Sequence, residues 1–182
     1  MWPWEHLAVG YVAVSLAFRL AGRPVGDDVA LATVLGSQFP DLIDKPLAWS
    51  VAVLPSGTSL AHSVFVAVPL GALVVAFGYR RGKALVGVAF VLAYLLHLPG
   101  DALYDAVTVG EPPSWGAILW PVVQKPPGVD PGGLIGETLS YGTQYLSFLA
   151  TPAAARYLAL EGALLLAALG LWLLDGKPGI HR

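Results

Sequence analysis

Long apolar runs recur along this chain, and no other feature constrains its fold as strongly. They cover roughly residues 5–21, 28–49, 60–79, 84–107 and 152–174. Each is long enough to cross a hydrocarbon core about 30 Å thick, which takes ~20 apolar residues in a helix. The first four are joined only by the short connectors AGRPVGDD, VLPSGTS and RRGK. Charge is scarce: 12% of the 182 residues are Asp, Glu, Lys or Arg, against about 25% in an ordinary soluble domain. The expected fold is all-α, a polytopic membrane bundle of about five transmembrane helices in one domain, 1–182. Between the fourth and fifth runs, the Pro- and Gly-rich stretch 110–133 reads as an outer loop. The stretch GETLSYGTQYLSFLA, 136–150, reads as an amphipathic helix lying on the membrane surface.

Basic residues orient the spans. Arg19, Arg23, Arg80, Arg81, Lys83, Lys177 and Arg182 fall on one side, leaving Lys45, Lys125 and Arg156 on the other. This split predicts a multi-pass protein of the cell membrane with its N-terminus outside and its C-terminus cytoplasmic. MWPWEHLAVG lacks the basic start of a secretory signal, so the first run is expected to stay in the mature protein. A net charge of −2 gives no reason to invoke nucleic acid. With no cysteine there is neither a disulfide nor a thiolate metal site, so any metal must be held by nitrogen and oxygen.

The stretch YLLHLPGDALYD then raises a question, because it sets His97, Asp101 and Asp105 at four-residue intervals inside an apolar run. An ionised carboxylate is costly there unless something pairs with it. On the predicted topology, His6 opens the first span at its outer end and His62 opens the third, also outside. Asp41 and Asp44 lie ~20 Å along the outward second span, and His97 about 21 Å along the fourth, at 1.5 Å per residue. These groups fall in one layer just below the outer surface. His97 and Asp101 share a helix face, as do Asp41 and Asp44 in FPDLIDK. Pro40 and Pro99 loosen the helix beside each pair.

Simpler readings stand beside the metal. A single intramembrane His or Asp is often only hydrogen-bonded to a neighbouring helix, although such residues mark function by default. Asp105 and Glu5 fit solvated interface positions, and Lys45 fits a snorkelling anchor or a counter-charge to Asp41 and Asp44. Histidines from three spans also suit a b-type haem, but carboxylates one turn away favour a harder cation. An ion-coupled transporter would use intramembrane acids too, yet the chain has no internal repeat. A non-catalytic protein with a metal or haem site leaves no sequence mark.

The ordered motifs resemble the YdjM-like membrane-bound metal-dependent hydrolases. They are His6 in WEHLAVG, Pro40-Asp41-Leu42-Ile43-Asp44, His62-Ser63, His97-Leu98-Pro99-Gly100-Asp101 and Leu119-Trp120-Pro121, spanning about residues 5–123. More remotely, the arrangement is similar to the zinc-dependent phospholipase C and single-strand nuclease superfamily. That resemblance implies one metal site from His62, His97 and Asp101, with Asp101 bridging to a second ion held partly by His6. Asp41 is implied as base, or as a further ligand together with Asp44. The second H-x-x-x-E of that superfamily is missing here, so one or two ions, most simply zinc, are expected. Such an ion activates water against an ester or phosphoester of a lipid or lipid-linked substrate. Lys45, Trp120 and Arg156 are expected to meet the substrate, and Ser63 and Asp105 to support the ligands.

Overall fold

The structure is a computed structural model, and it describes residues 1–123 and 132–180. Lys125, His181 and Arg182 lie outside the described residues. Within them the chain is all-α, with no strand. Six helices follow one another: α1 (Pro3–Leu20), α2 (Asp27–Trp49), α3 (Val64–Arg80), α4 (Ala84–Thr108), α5 (Gly133–Leu149) and α6 (Ala153–Leu174). A single 3-10 turn, Ala117–Leu119, interrupts the connection from α4 to α5.

Helices stand at all five places where spans were expected, and α4 and α6 are the two long and apolar enough to cross a membrane. Only 6% of the apolar window of α6 is buried, so that surface points outward instead of forming a core. Leu31, Phe65, Leu73 and Phe77 of other helices are exposed as well. A soluble monomer seldom exposes so many large apolar side chains, whereas a membrane-embedded one must. α3 is also apolar but has 17 residues. The third run differs from expectation at its start. His62 does not open a helix there, because residues 50–63 form a helix-free loop and α3 begins at Val64.

α4 is the centre of the bundle, packing against α1, α2 and α3, with its closest partner α2. That approach depends on Gly36, where an added Cβ would lie 2.2 Å from the Phe90 carbonyl oxygen. Small residues let helix backbones come together in this way. Around the contact, one apolar cluster gathers Tyr11, Val14, Phe18, Val29 and Ala89, and a second gathers Ala67, Tyr94 and Leu98. α1 is fastened to α6 by polar bonds at both ends. Asp175 accepts from Tyr11, Ser15 and Arg19, while Glu5 accepts from Tyr157 Oη at 2.7 Å. Glu5 is therefore buried, not solvated at an interface as expected. Its other oxygen accepts from the Trp2 backbone N–H at 2.6 Å, which caps a helix begun by Pro3.

Candidate metal centre

Asp44 organises the loop that carries His62. It is fully buried on α2 and accepts from the backbone N–H groups of Ser59 (2.8 Å), Ala61 (2.9 Å) and His62 (3.2 Å). A buried carboxylate is stabilised by several backbone donors, and these donors would otherwise be unpaired in a helix-free segment. The same carboxylate faces His62 Nδ1 at 2.8 Å. Tyr94 of α4 pins the loop from the far side, donating to the Ala61 carbonyl at 2.6 Å. Ser63 then caps α3 by accepting from Phe65 N–H, and donates to the Trp120 carbonyl.

His97 is oriented from α2. Its Nδ1 lies 2.7 Å from the Ser37 carbonyl oxygen. Pro40 has no N–H, which removes the ladder donor to the Gly36 carbonyl, one residue before Ser37, and loosens the helix there. A carbonyl only accepts, so Nδ1 carries the proton and Nε2 of the neutral ring presents a lone pair. His62, donating from Nδ1 to Asp44, is set in the same tautomer. Both Nε2 atoms then turn toward one point, 3.2 Å apart.

Asp101 Oδ2 completes a triangle with them, 3.3 Å from each nitrogen. Asp41 Oδ1 stands slightly further off, 3.5 Å from His62 and 3.8 Å from His97. The four ligand atoms all lie within 4.8 Å of one another. Tetrahedral zinc with bonds of ~2.0–2.1 Å has ligand–ligand edges of about 3.3 Å. Four lone pairs aimed at each other repel, and Asp41 Oδ1 is buried with no hydrogen-bond partner. The donor set, its spacing and its orphaned oxygen therefore fit a divalent cation, and this buried Asp, His, His, Asp group could hold one. Each imidazole proton is already bonded to a fixed acceptor, as histidines that ligate metals require.

His6 sits beside this group, not in it. Its ring stacks on His97 with centroids 3.5 Å apart, and its Nε2 lies 3.0 Å from the other Asp101 oxygen, Oδ1. The Met1 backbone nitrogen reaches that oxygen too, at 2.6 Å. His6 Nε2 is the second buried polar atom without a hydrogen bond.

A cavity of about 980 Å³ opens in front of the group. Asp41, His62 and Asp101 form its polar end, and residues of α4, α5 and the loop 55–58 form its sides. Lys45 lines it and donates to Asp41 Oδ2 at 2.6 Å. Asp105 lines it as well. Trp120 and Arg156 do not, contrary to expectation. Trp120 offers only its backbone carbonyl to Ser63, and Arg156 donates to the Val107 carbonyl at the end of α4. Asp44, expected to handle water or hold the ion, has its oxygens occupied by backbone N–H groups and His62. The Ser37 carbonyl left no signal in the sequence beyond its place before Pro40, whereas Glu5 could have been read as a cap behind Pro3.

The family model for YdjM inner membrane proteins matches residues 1–177. The chain belongs to that family. The match takes in α5 and α6, beyond the motifs that end near residue 123, and it makes this a membrane protein together with its two candidate spans. No curated protein and no solved structure matches the chain.

Proposed function

We propose that this protein is a membrane-embedded, metal-dependent hydrolase acting on an ester or phosphoester of a lipid or lipid-linked substrate. The observation that carries the reading is the pair of Nε2 lone pairs held 3.2 Å apart by fixed acceptors and closed by Asp101. His62, His97 and Asp101 would hold the ion, with Asp41 at a fourth, looser corner. A divalent ion there supplies Lewis acidity toward an ester or phosphoryl oxygen and makes nearby water more acidic. Zinc suits two imidazoles with carboxylates and no thiolate.

The chain's own groups then divide the remaining work. Asp44 and the Ser37 carbonyl keep the two imidazoles in their tautomers. Asp41 lines the cavity; with Oδ1 off the ion it would take the proton of the attacking water, while Lys45 donates to Oδ2. Lys45 also offers positive charge to an anionic ester oxygen. The 3.2 Å gap between the imidazole nitrogens is too narrow for a porphyrin plane, which argues against haem.

The same reading takes α1, α2, α3, α4 and α6 as five crossings, with α5 on the outer surface and the site opening beneath it. In support, His6, Asp41, His62, His97 and Asp101 all meet at one end of the bundle. The test is metal analysis of protein purified without chelator, followed by ester and phosphoester hydrolysis with and without the metal. One equivalent of a divalent ion and metal-dependent release of product are expected. Protein free of metal and unable to bind zinc would end this reading.

A further inference from the structure

The cavity before the metal centre carries more acid than the centre uses. Besides Asp41 and Asp101 it is lined by Asp105 of α4 and Glu137 of α5, and neither has an ion-pair partner among the described residues. Lys45 is the one Lys or Arg on its wall among the described residues, and it is already paired with Asp41. A divalent ion balances Asp41 and Asp101. What is left is positive charge near the centre, from Lys45 and the Met1 amino group, and two negative charges further out. A diphosphate or other polyanion would meet its own sign there, whereas a single phosphate followed by a cation would not.

The wall between these poles suits an ammonium group. Tyr104, Tyr141, Tyr145 and Trp2 line it, and aromatic rings attract cations. Burial, followed by the charges of Glu137, Asp101, Asp41 and Asp105, raises the Tyr141 phenol above its ordinary range, so this one ring sits in the field of all four acids. Thr108 and Thr138 add hydroxyl acceptors. Carboxylates on two elements, with hydroxyls beside them, can satisfy N–H donors, which a trimethylammonium lacks. At the inner end, Asp41 belongs to the ion's donor group, which leaves Asp105 and Glu137 for the headgroup.

We infer that the site takes a phospholipid whose headgroup ends in a primary ammonium, with the phosphoester against Lys45 and the metal centre and the ammonium between Asp105 and Glu137. The inference deepens the hydrolase reading and rests on it. The probes are short-chain phosphatidylethanolamine, phosphatidylcholine and phosphatidylglycerol, added to the full-length, zinc-loaded protein in detergent. Binding is followed by tryptophan fluorescence, since Trp2 and Trp49 line the cavity. The ethanolamine lipid should bind about tenfold tighter than the other two. That preference should shrink to about threefold or less in an Asp105→Asn, Glu137→Gln double variant whose zinc content is unchanged. Equal binding of the three lipids, or a preference that survives the double substitution, overturns the inference. Product release is measured separately. Equal hydrolysis of all three lipids overturns the headgroup assignment while leaving the hydrolase reading, and selective binding without product does the reverse.

Discussion

Asp44 and His62 are joined twice: Oδ2 of the carboxylate faces the ring Nδ1 at 2.8 Å and also accepts from the His62 backbone N–H at 3.2 Å. One side chain thus fixes where the histidine sits and which nitrogen it presents. Removing that carboxylate separates the two effects.

With Asp44→Asn, the ring loses its anionic partner while the volume is kept. Zinc affinity should fall 10- to 100-fold, as for other partners of metal-bound histidines. Asp44→Ala also strands buried N–H groups and should cost about 3 kcal/mol of stability. Zinc titration calorimetry and thermal unfolding in detergent separate the two variants.

His97→Ala and Asp101→Ala each remove one corner of the 3.2–3.3 Å triangle. Both should purify with little bound metal, while helix content by circular dichroism stays unchanged. Full occupancy in either variant would place the ion elsewhere.

Gly36→Ala forces a methyl group to within 2.2 Å of the Phe90 carbonyl oxygen. Backbone cannot yield as a side chain does, so the change should cost about 3 kcal/mol or more through separation of α2 from α4. Gly142→Ala, with nothing within 4 Å, is the matched control and should shift stability by about 0.5 kcal/mol or less. Melting temperatures of the two variants should therefore differ clearly.

Glu5 and Tyr157 meet in a buried hydrogen bond between α1 and α6. A double-mutant cycle with Glu5→Gln and Tyr157→Phe should return a coupling of about 1–2 kcal/mol. Coupling near zero would mean that this bond does not help to hold α6, leaving the contacts of Asp175 and apolar packing.

Single cysteines at Ser56 and Gly82 test the five-crossing topology. An impermeant maleimide added to intact cells should label the first and spare the second. Labelling of both, or of the second alone, would require a different arrangement of spans.

The helices were legible because apolar length is a local property: α4 and α6 stand almost where their runs begin and end. The convergence of His97 with Asp101 was legible too, since four-residue spacing on a helix puts two side chains on one face. His62 was harder. Its position depends on Asp44 collecting backbone donors from 15 to 18 residues away, and no periodicity records that. The Ser37 carbonyl is a main-chain atom, so no residue type announces it. Charge and outer position predict that Arg156 meets the substrate, but its geometry commits it to the Val107 carbonyl.

The tie between Asp44 and the loop 59–62 also bears on how an ion comes and goes. The imidazoles are braced by groups that belong to the fold and do not need the ion to hold them. Chelation should therefore leave the scaffold standing, and reloading should be limited by diffusion through the open chamber and not by any refolding of the donors. Stopped-flow uptake that is linear in zinc concentration, without a plateau, is the kinetic mark of such a ready-made socket.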